Sequence, residues 1–381
     1  MISRSVSVAL ATFNGAAHLQ AQLKSLTNQS LAPFELVVSD DGSSDGTLDV
    51  VAAFATQASF PVVRLENTTR LGFRGNFMRA AAACRGEIVA FCDQDDVWHS
   101  DKLKRVHDAF ALPETLAFFH NSNVVDAQGR FMQRFYAKPP ASERSHVFTL
   151  PLWFYPYGFS LAVRRVMLAI IPFWNMSRDP FCHGTAAAHD CLFFWLAASL
   201  GAVAYDNMPL VDYRQHGGNV FGQSKPVSGL TRKRLSQAFG NPSNSLAHLA
   251  IVARANGDIL SRAQKEAACY ISAATWQRAV KLWHLAADLN DRRAGLYCGP
   301  DLRTRAEAFR RLHEVQGYGE GGDLTFGKRQ GVRDLALGVI AAPLVRRLNW
   351  HKNHDGSLRH ARSTERLIDD LPSPSGAEPH F

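Results

Sequence analysis

The chain has no apolar run near the roughly 20 residues that a membrane-spanning helix needs. The best candidate, Cys191 to Ala204, is the length of a buried core helix. The six cysteines include no Cys-x-x-Cys pair. Cys84, Cys92, Cys191 and Cys269 sit in apolar segments and read as reduced core thiols of a cytosolic protein. No internal repeat is present, and no signal-peptide pattern precedes the strand-like segment that follows Met1-Ile2-Ser3-Arg4-Ser5. The expected location is therefore cytoplasmic. Hydrophobic residues make up 46% and charged residues 20%, as in ordinary soluble globular proteins.

The 381 residues suffice for a catalytic domain and an appendage, and the charge divides the same way. Residues 1–225 hold 19 Lys/Arg against 19 Asp/Glu, whereas residues 226–381 hold 23 against 15 and carry the whole excess of +8. Three regions are expected: a catalytic domain over 1–225, a basic helical region over 230–350, and a disordered tail over 351–381. Residues 223–229 form the expected linker, and Gly317 to Gly322 break the helical region. A basic half suits an anionic membrane surface; a solvated helical domain with no partner fits the composition equally well. Nothing points to nucleic acid.

Strand and helix periodicities alternate over the first hundred residues. Val6–Ala11, Phe34–Ser39, Pro61–Leu65 and Glu87–Cys92 read as strands; Ala17–Thr27, Thr47–Thr56 and Asn76–Cys84 read as helices. Ser43 or Ser44 is the expected cap of the second helix. This pattern predicts an α/β fold with a mostly parallel, Rossmann-like sheet and helices on both faces. Later elements include a hairpin-like excursion over Val124–Phe135, a helix over His189–Leu200 and an extended segment over Val203–Tyr213.

Three strand ends carry polar loops: Ala11-Thr12-Phe13-Asn14, Asp40-Asp41-Gly42-Ser43 and Asp93-Gln94-Asp95-Asp96. Open α/β sheets bind ligands at that edge. Three carboxylates within four residues repel one another, so a cation belongs among them or one keeps its proton. A divalent-metal site for a nucleotide diphosphate fits, because hard cations take carboxylate oxygens. An Asp-nucleophile phosphatase of the haloacid-dehalogenase type is an alternative. That chemistry expects its motif on the first strand, and here a full βαβαβ precedes it. A solvated loop is the third reading. A calcium loop beginning at Asp41 fails, since its twelfth position is Ala52.

Val8 to Gly15, Val37 to Thr47, Arg70 to Phe77 and Cys92 to Trp98, with Lys102-Leu103 following, resemble family 2 glycosyltransferases of the GT-A fold. The Asp-Gln-Asp-Asp-x-Trp form is most similar to the rhamnosyltransferase-like, polysaccharide-building branch. The resemblance implies a metal-dependent, inverting transferase. It would move a sugar, with rhamnose one candidate, from a UDP-, dTDP- or GDP-linked donor to a saccharide or lipid-linked saccharide acceptor. A non-catalytic nucleotide-sugar-binding member is the remaining alternative.

By that resemblance, Asp95 holds Mg²⁺ or Mn²⁺, Asp93 meets the ribose or the metal, and Asp96 supports them. Asp40 hydrogen-bonds the base, which packs on Phe13 beside the Ala11 backbone. Tyr213 to Asn219 resembles the closing motif, with Arg214 on the diphosphate and His216 as a further metal ligand; the glycines there suit a lid. Asp190 is the expected general base, at a helix start where an acid is also favoured by the dipole alone. Trp153, Tyr157 and Gly158 are expected at the acceptor pocket, although core packing explains such aromatics as well. Many relatives carry Ser-Asp where this chain has Ser122-Asn123, and Asn cannot take the proton. The segment Leu335 to Val345 is expected to dock peripherally at the inner membrane face as an interfacial helix.

Overall fold

The computed structural model describes residues 5–139, 143–146, 150, 152–217, 242–267, 271–314, 331 and 334–340. The linker 223–229, the break at Gly317–Gly322 and the tail 351–381 lie outside these residues, as do residues 218–222 of the glycine loop and 341–345 of the apolar segment.

The chain divides into two compact units, residues 1–225 with 248–288, and residues 226–247 with 289–381. The first unit is built on one ten-stranded sheet. Its opening half is β1 (Val6–Thr12), α1 (Ala16–Thr27), β2 (Glu35–Asp40), α2 (Thr47–Ala55), β3 (Val62–Glu66), α3 (Gly72–Ala83) and β4 (Ile88–Cys92). These strands lie parallel in the order β3-β2-β1-β4. β1, β2 and β4 are buried almost end to end, as strands covered on both faces must be.

β5 (Val97–Trp98), α4 (Lys102–Ala109), β6 (Thr115–Val125), β7 (Phe131–Arg134), β8 (Arg144–Ser145), β9 (Ala162–Arg164), α5 (His189–Leu200) and β10 (Ala202–Arg214) follow. β9 runs antiparallel between β4 and β6, and β6 pairs in parallel with β10. The sheet is thus mixed, with β1, β2, β3, β4, β6 and β10 pointing one way. This is the mostly parallel α/β architecture that the sequence predicts. β6 and β7 form the expected hairpin around Gly129, whose φ of 81° needs a glycine.

Two local expectations differ. The sequence predicts a strand over Leu116–His120 with Ser122-Asn123 after it; β6 runs on to Val125, so both residues lie within the strand. No serine caps α2. Asp45 instead accepts from Thr47 N (3.0 Å) and from Ala16 N (3.1 Å), so one carboxylate serves two helix starts.

The C-terminal helices are α6 (Pro242–Ala267), α7 (Ala273–Cys298) and α8 (Leu302–Glu314). In the second unit Leu246, Leu289, Leu296, Tyr297, Leu312 and Val339 form a separate core. Buried Asp334 pairs with Arg293 (2.8 Å) and accepts from the Tyr297 hydroxyl (2.9 Å). Residues Asp334–Ile340 make a π-type turn, with Val339 inside that core. No helix among the described residues is long and apolar enough to cross a membrane.

Candidate active site

The loops after β1, β2 and β4 are clamped together by side chains. The Gln94 amide accepts from Phe13 N (2.9 Å) and donates to Phe13 O (3.0 Å), standing in for a strand beyond the end of β4. Gly15 leaves the space this needs: a Cβ there would lie 2.2 Å from Gln94 Oε1. Asn14, at a φ of 46°, donates its N–H to Ser43 Oγ and accepts from Ser44 N.

The paired acids after β2 organise this floor. Asp40 accepts from Gly42 N, Ser43 N, Ser43 Oγ and Thr12 Oγ1, all within 2.6–3.1 Å, and is 2% exposed. A carboxylate has about four acceptor positions. Asp40 is therefore filled from within the protein and holds the loop from which the expected base contact would be made. Asp41 likewise accepts from Asn67 Nδ2, Leu71 N and Gly72 N. The Phe13 ring, beside Ala11 at the end of β1, is half-buried beneath the Arg70 guanidinium, 3.9 Å away.

In the acid loop the three carboxylates separate. Asp96 is fully buried; its Oδ1 accepts from Arg214 N, and its Oδ2 has no partner among the described residues. Asp95 Oδ2 meets His216 Nε2 at 2.8 Å, and His18 lies against His216 with centroids 4.6 Å apart. Arg214 bonds the carbonyls of Asp95 (3.0 Å) and Ala127 (3.1 Å), which ties the acid loop to the β6–β7 hairpin. Asp93 keeps an edge toward solvent, but burial, Asp95 and Asp190 push its carboxyl well above the usual range. A bound cation would reverse that shift.

Among the described residues no three His, Cys, Asp or Glu side chains gather into a ligand set. The pairing of Asp95 with His216 still suits a shared ion. Adjacent ligands of an octahedral ion with bonds of roughly 2.1 Å stand about 3 Å apart, close to the 2.8 Å seen. Carboxylate with imidazole is a donor set that Mn²⁺ accepts, and diphosphate oxygens and water complete such shells.

Across the sheet, Asp190 starts α5. Its Oδ1 accepts from Cys191 N (2.8 Å), and burial outweighs that bond, pushing its carboxyl up to about 6. The charge of Asp190 is felt by Tyr136, Tyr155, Tyr157 and Asp93. Neighbouring His189 is buried, stacks on Phe77 at 3.9 Å and is driven down to about 3 by desolvation. Phe135, Tyr157, Phe159 and Tyr213 form an aromatic wall, with Phe159 stacked on Tyr213 at 4.6 Å.

Two of the residues expected at the acceptor pocket have packing roles in this structure. Trp153 packs edge-on against Trp195 and Trp283 (5.5 and 5.9 Å), so it belongs to an indole cluster. Gly158 is buried and seats His189: a Cβ there would lie 2.3 Å from His189 Nε2. Tyr157 alone of the three presents an exposed face, at 37%. Asn123 donates to Asp212 (2.7 Å), which also meets His99, so it serves the sheet edge. Gln94, His18 and Lys102 were given no role from the sequence. Gln94 and Lys102 did carry a signal, their places in the family-like run from Cys92 to Leu103.

Residues 7–170 match the family described as Glycosyl transferase family 2. The dTDP-rhamnosyl transferase RfbG of Shigella flexneri is 34% identical over 236 residues, covering 56% of this chain and 73% of that one. An uncharacterized glycosyltransferase of Nostoc sp. is 29% identical over 223 residues, covering 56% of this chain and 66% of its own length. Among solved structures, S. aureus TarS 1–349 in complex with UDP aligns with a TM-score of 0.46 at 17% identity, over 82% of this chain and 85% of that one.

Proposed function

We propose, from the premise that this chain belongs to glycosyl transferase family 2, that it transfers a sugar with inversion from a nucleotide diphosphate to an acceptor hydroxyl. The observation that carries the reading is the division of labour between Asp190 and the acid loop. Asp190 is a carboxylate poised near pH 6 beside exposed Tyr157, within electrostatic reach of Asp93.

The donor lies along the clamped loops, its base against Phe13 under Arg70 and its diphosphate toward His18, His216 and Arg214. Asp95 and His216, with Asp93 beside them, would hold Mg²⁺ or Mn²⁺, which supplies positive charge to the leaving diphosphate. The acceptor hydroxyl attacks the anomeric carbon from the Tyr157 side. Asp190 takes the hydroxyl proton as the new C–O bond forms and the bond to the diphosphate oxygen breaks. The exposed ring of Tyr157, backed by partly buried Phe135 and core Phe159, offers an aromatic face to a saccharide.

The name of the Shigella relative makes dTDP-linked rhamnose the first donor to try, ahead of UDP- and GDP-sugars. The acceptor is a saccharide of a growing surface polysaccharide, lipid-linked where the basic C-terminal half meets an anionic membrane face. The test is a donor panel scored for Mn²⁺- or Mg²⁺-dependent binding and for slow hydrolysis. Binding without any turnover would instead favour a non-catalytic sugar-nucleotide binder. Failure of every nucleotide-sugar to bind would sink the reading.

A further inference from the structure

Lys102, at the start of α4, is 1% exposed, although a lysine ammonium is rarely buried without a reason. Its Nζ donates to the Phe159 carbonyl at 2.7 Å and stands 3.5 Å over the Trp98 ring. Burial pulls its pKa down to about 7, and the nearby Cys92, Asp96 and Asp93 act against that shift. The ammonium therefore sits between the two halves of the site, drawn by acids of the donor loop and bonded to the turn Gly158–Ser160. That turn follows Tyr157, and its Gly158 seats the ring of His189, the residue before Asp190. Ser160 N and Oγ bond back to the Tyr157 carbonyl, so Tyr157 moves with the turn.

We propose that Lys102 is a positioning residue for the transfer reaction, registering the acceptor-side turn, and through it Tyr157 and Asp190, against the donor-side acids. The assignment rests on the transferase reading above. A lysine kept only for packing would be poorly suited to this place, because burying its charge is costly and an apolar chain of similar volume would fill the space over Trp98. The carbonyl bond is what an apolar chain cannot supply. Reaction geometry tolerates little error: displacements near 1 Å cost on the order of 100-fold in rate.

The experiment compares the wild-type chain with Lys102→Met and Lys102→Arg, using dTDP-rhamnose with Mn²⁺ and, failing that, whichever donor the wild type hydrolyses. The readouts are thermal midpoint, donor KM and kcat for hydrolysis, in which water replaces the acceptor. Lys102→Met should keep donor KM within about 3-fold of wild type and lose at least about 10-fold in kcat. Lys102→Arg, which can still donate to Phe159 O, should recover part of that loss. Unchanged kcat in Lys102→Met overturns the proposal. So does a parallel fall of kcat, donor affinity and thermal midpoint, the mark of a merely structural lysine. Should Lys102→Met not fold, Asp96→Asn/Lys102→Met, which removes an acid together with the lysine, is measured against Asp96→Asn by the same criterion. A wild-type chain that binds no nucleotide-sugar would instead fail the transferase reading itself.

Discussion

Gln94 holds Phe13 by both backbone groups, at 2.9 and 3.0 Å, so the acid loop and the proposed base-stacking residue share one rigid joint. Gln94→Ala leaves a half-buried N–H and C=O without these partners. It is expected to cost ~1–3 kcal/mol in urea unfolding and to weaken nucleotide binding. Gly15→Ala should act alike, because its Cβ would displace the same amide. Wild-type nucleotide affinity in both variants would separate the joint from donor binding.

Asp190→Asn should retain donor binding while turnover falls by roughly 10²–10⁴-fold, the usual contribution of a general base. Stability should move the other way. The Asp190 carboxyl is raised in the folded state, so its ionised form is penalised there above pH 6. Removing that charge is expected to raise stability at pH 8 by up to about 3 kcal/mol. Normal transfer by Asp190→Asn would remove it from the base role.

The pH profile follows from the same group. A base works only when unprotonated, and burial places the Asp190 midpoint at about 6. Turnover should therefore climb as pH rises through about 6 and be lost below it. This ascending limb should be absent from the residual activity of Asp190→Asn.

Chelation by EDTA should abolish nucleotide-sugar binding, and Mn²⁺ should restore it. Asp95→Ala and His216→Ala, which break the 2.8 Å pair, should each lower apparent Mn²⁺ affinity by at least about 10-fold. Donor binding that is indifferent to EDTA would exclude the metal role.

Gly158→Ala places a methyl group against His189 Nε2 and must displace the ring from its stack on Phe77. Overpacking of this kind costs ~1–3 kcal/mol, and kcat should fall because Asp190 is the next residue. His189→Ala, which vacates the space, should restore stability to Gly158→Ala in the double variant, as thermal unfolding would show.

Most of the α/β frame was legible in the sequence because buried strands declare themselves by apolar runs and helices by their period. β1, α1, β2, α2, β3 and β4 lie within a residue or so of their expected bounds. The strand ends could also be read as one edge. What escaped is how side chains use their hydrogen-bonding capacity. Asp40 looks free in a motif, yet four donors within three residues and across the β1 end fill it. Trp153 and Tyr157 look alike in sequence; only tertiary packing sends one to an indole cluster and leaves the other facing outward. Lys102 stands in the sequence only as part of a family-like motif; its burial is not legible there, because burial of an ammonium depends on distant partners such as Phe159.

One short strand has a consequence for how such a protein can diversify. β9 separates β4, which ends in the acids, from β6, which leads toward the acceptor wall. The chain between β6 and β9 therefore hangs from two strands that do not form the donor floor. Apart from Ala127 and the turn Gly158–Ser160, which bond Arg214 and Lys102, its length and composition can drift while β1, β2 and β4 keep their register and loops. On the proposed function, a new acceptor would be acquired by remodelling that one excursion, with the inherited donor chemistry left standing beneath it.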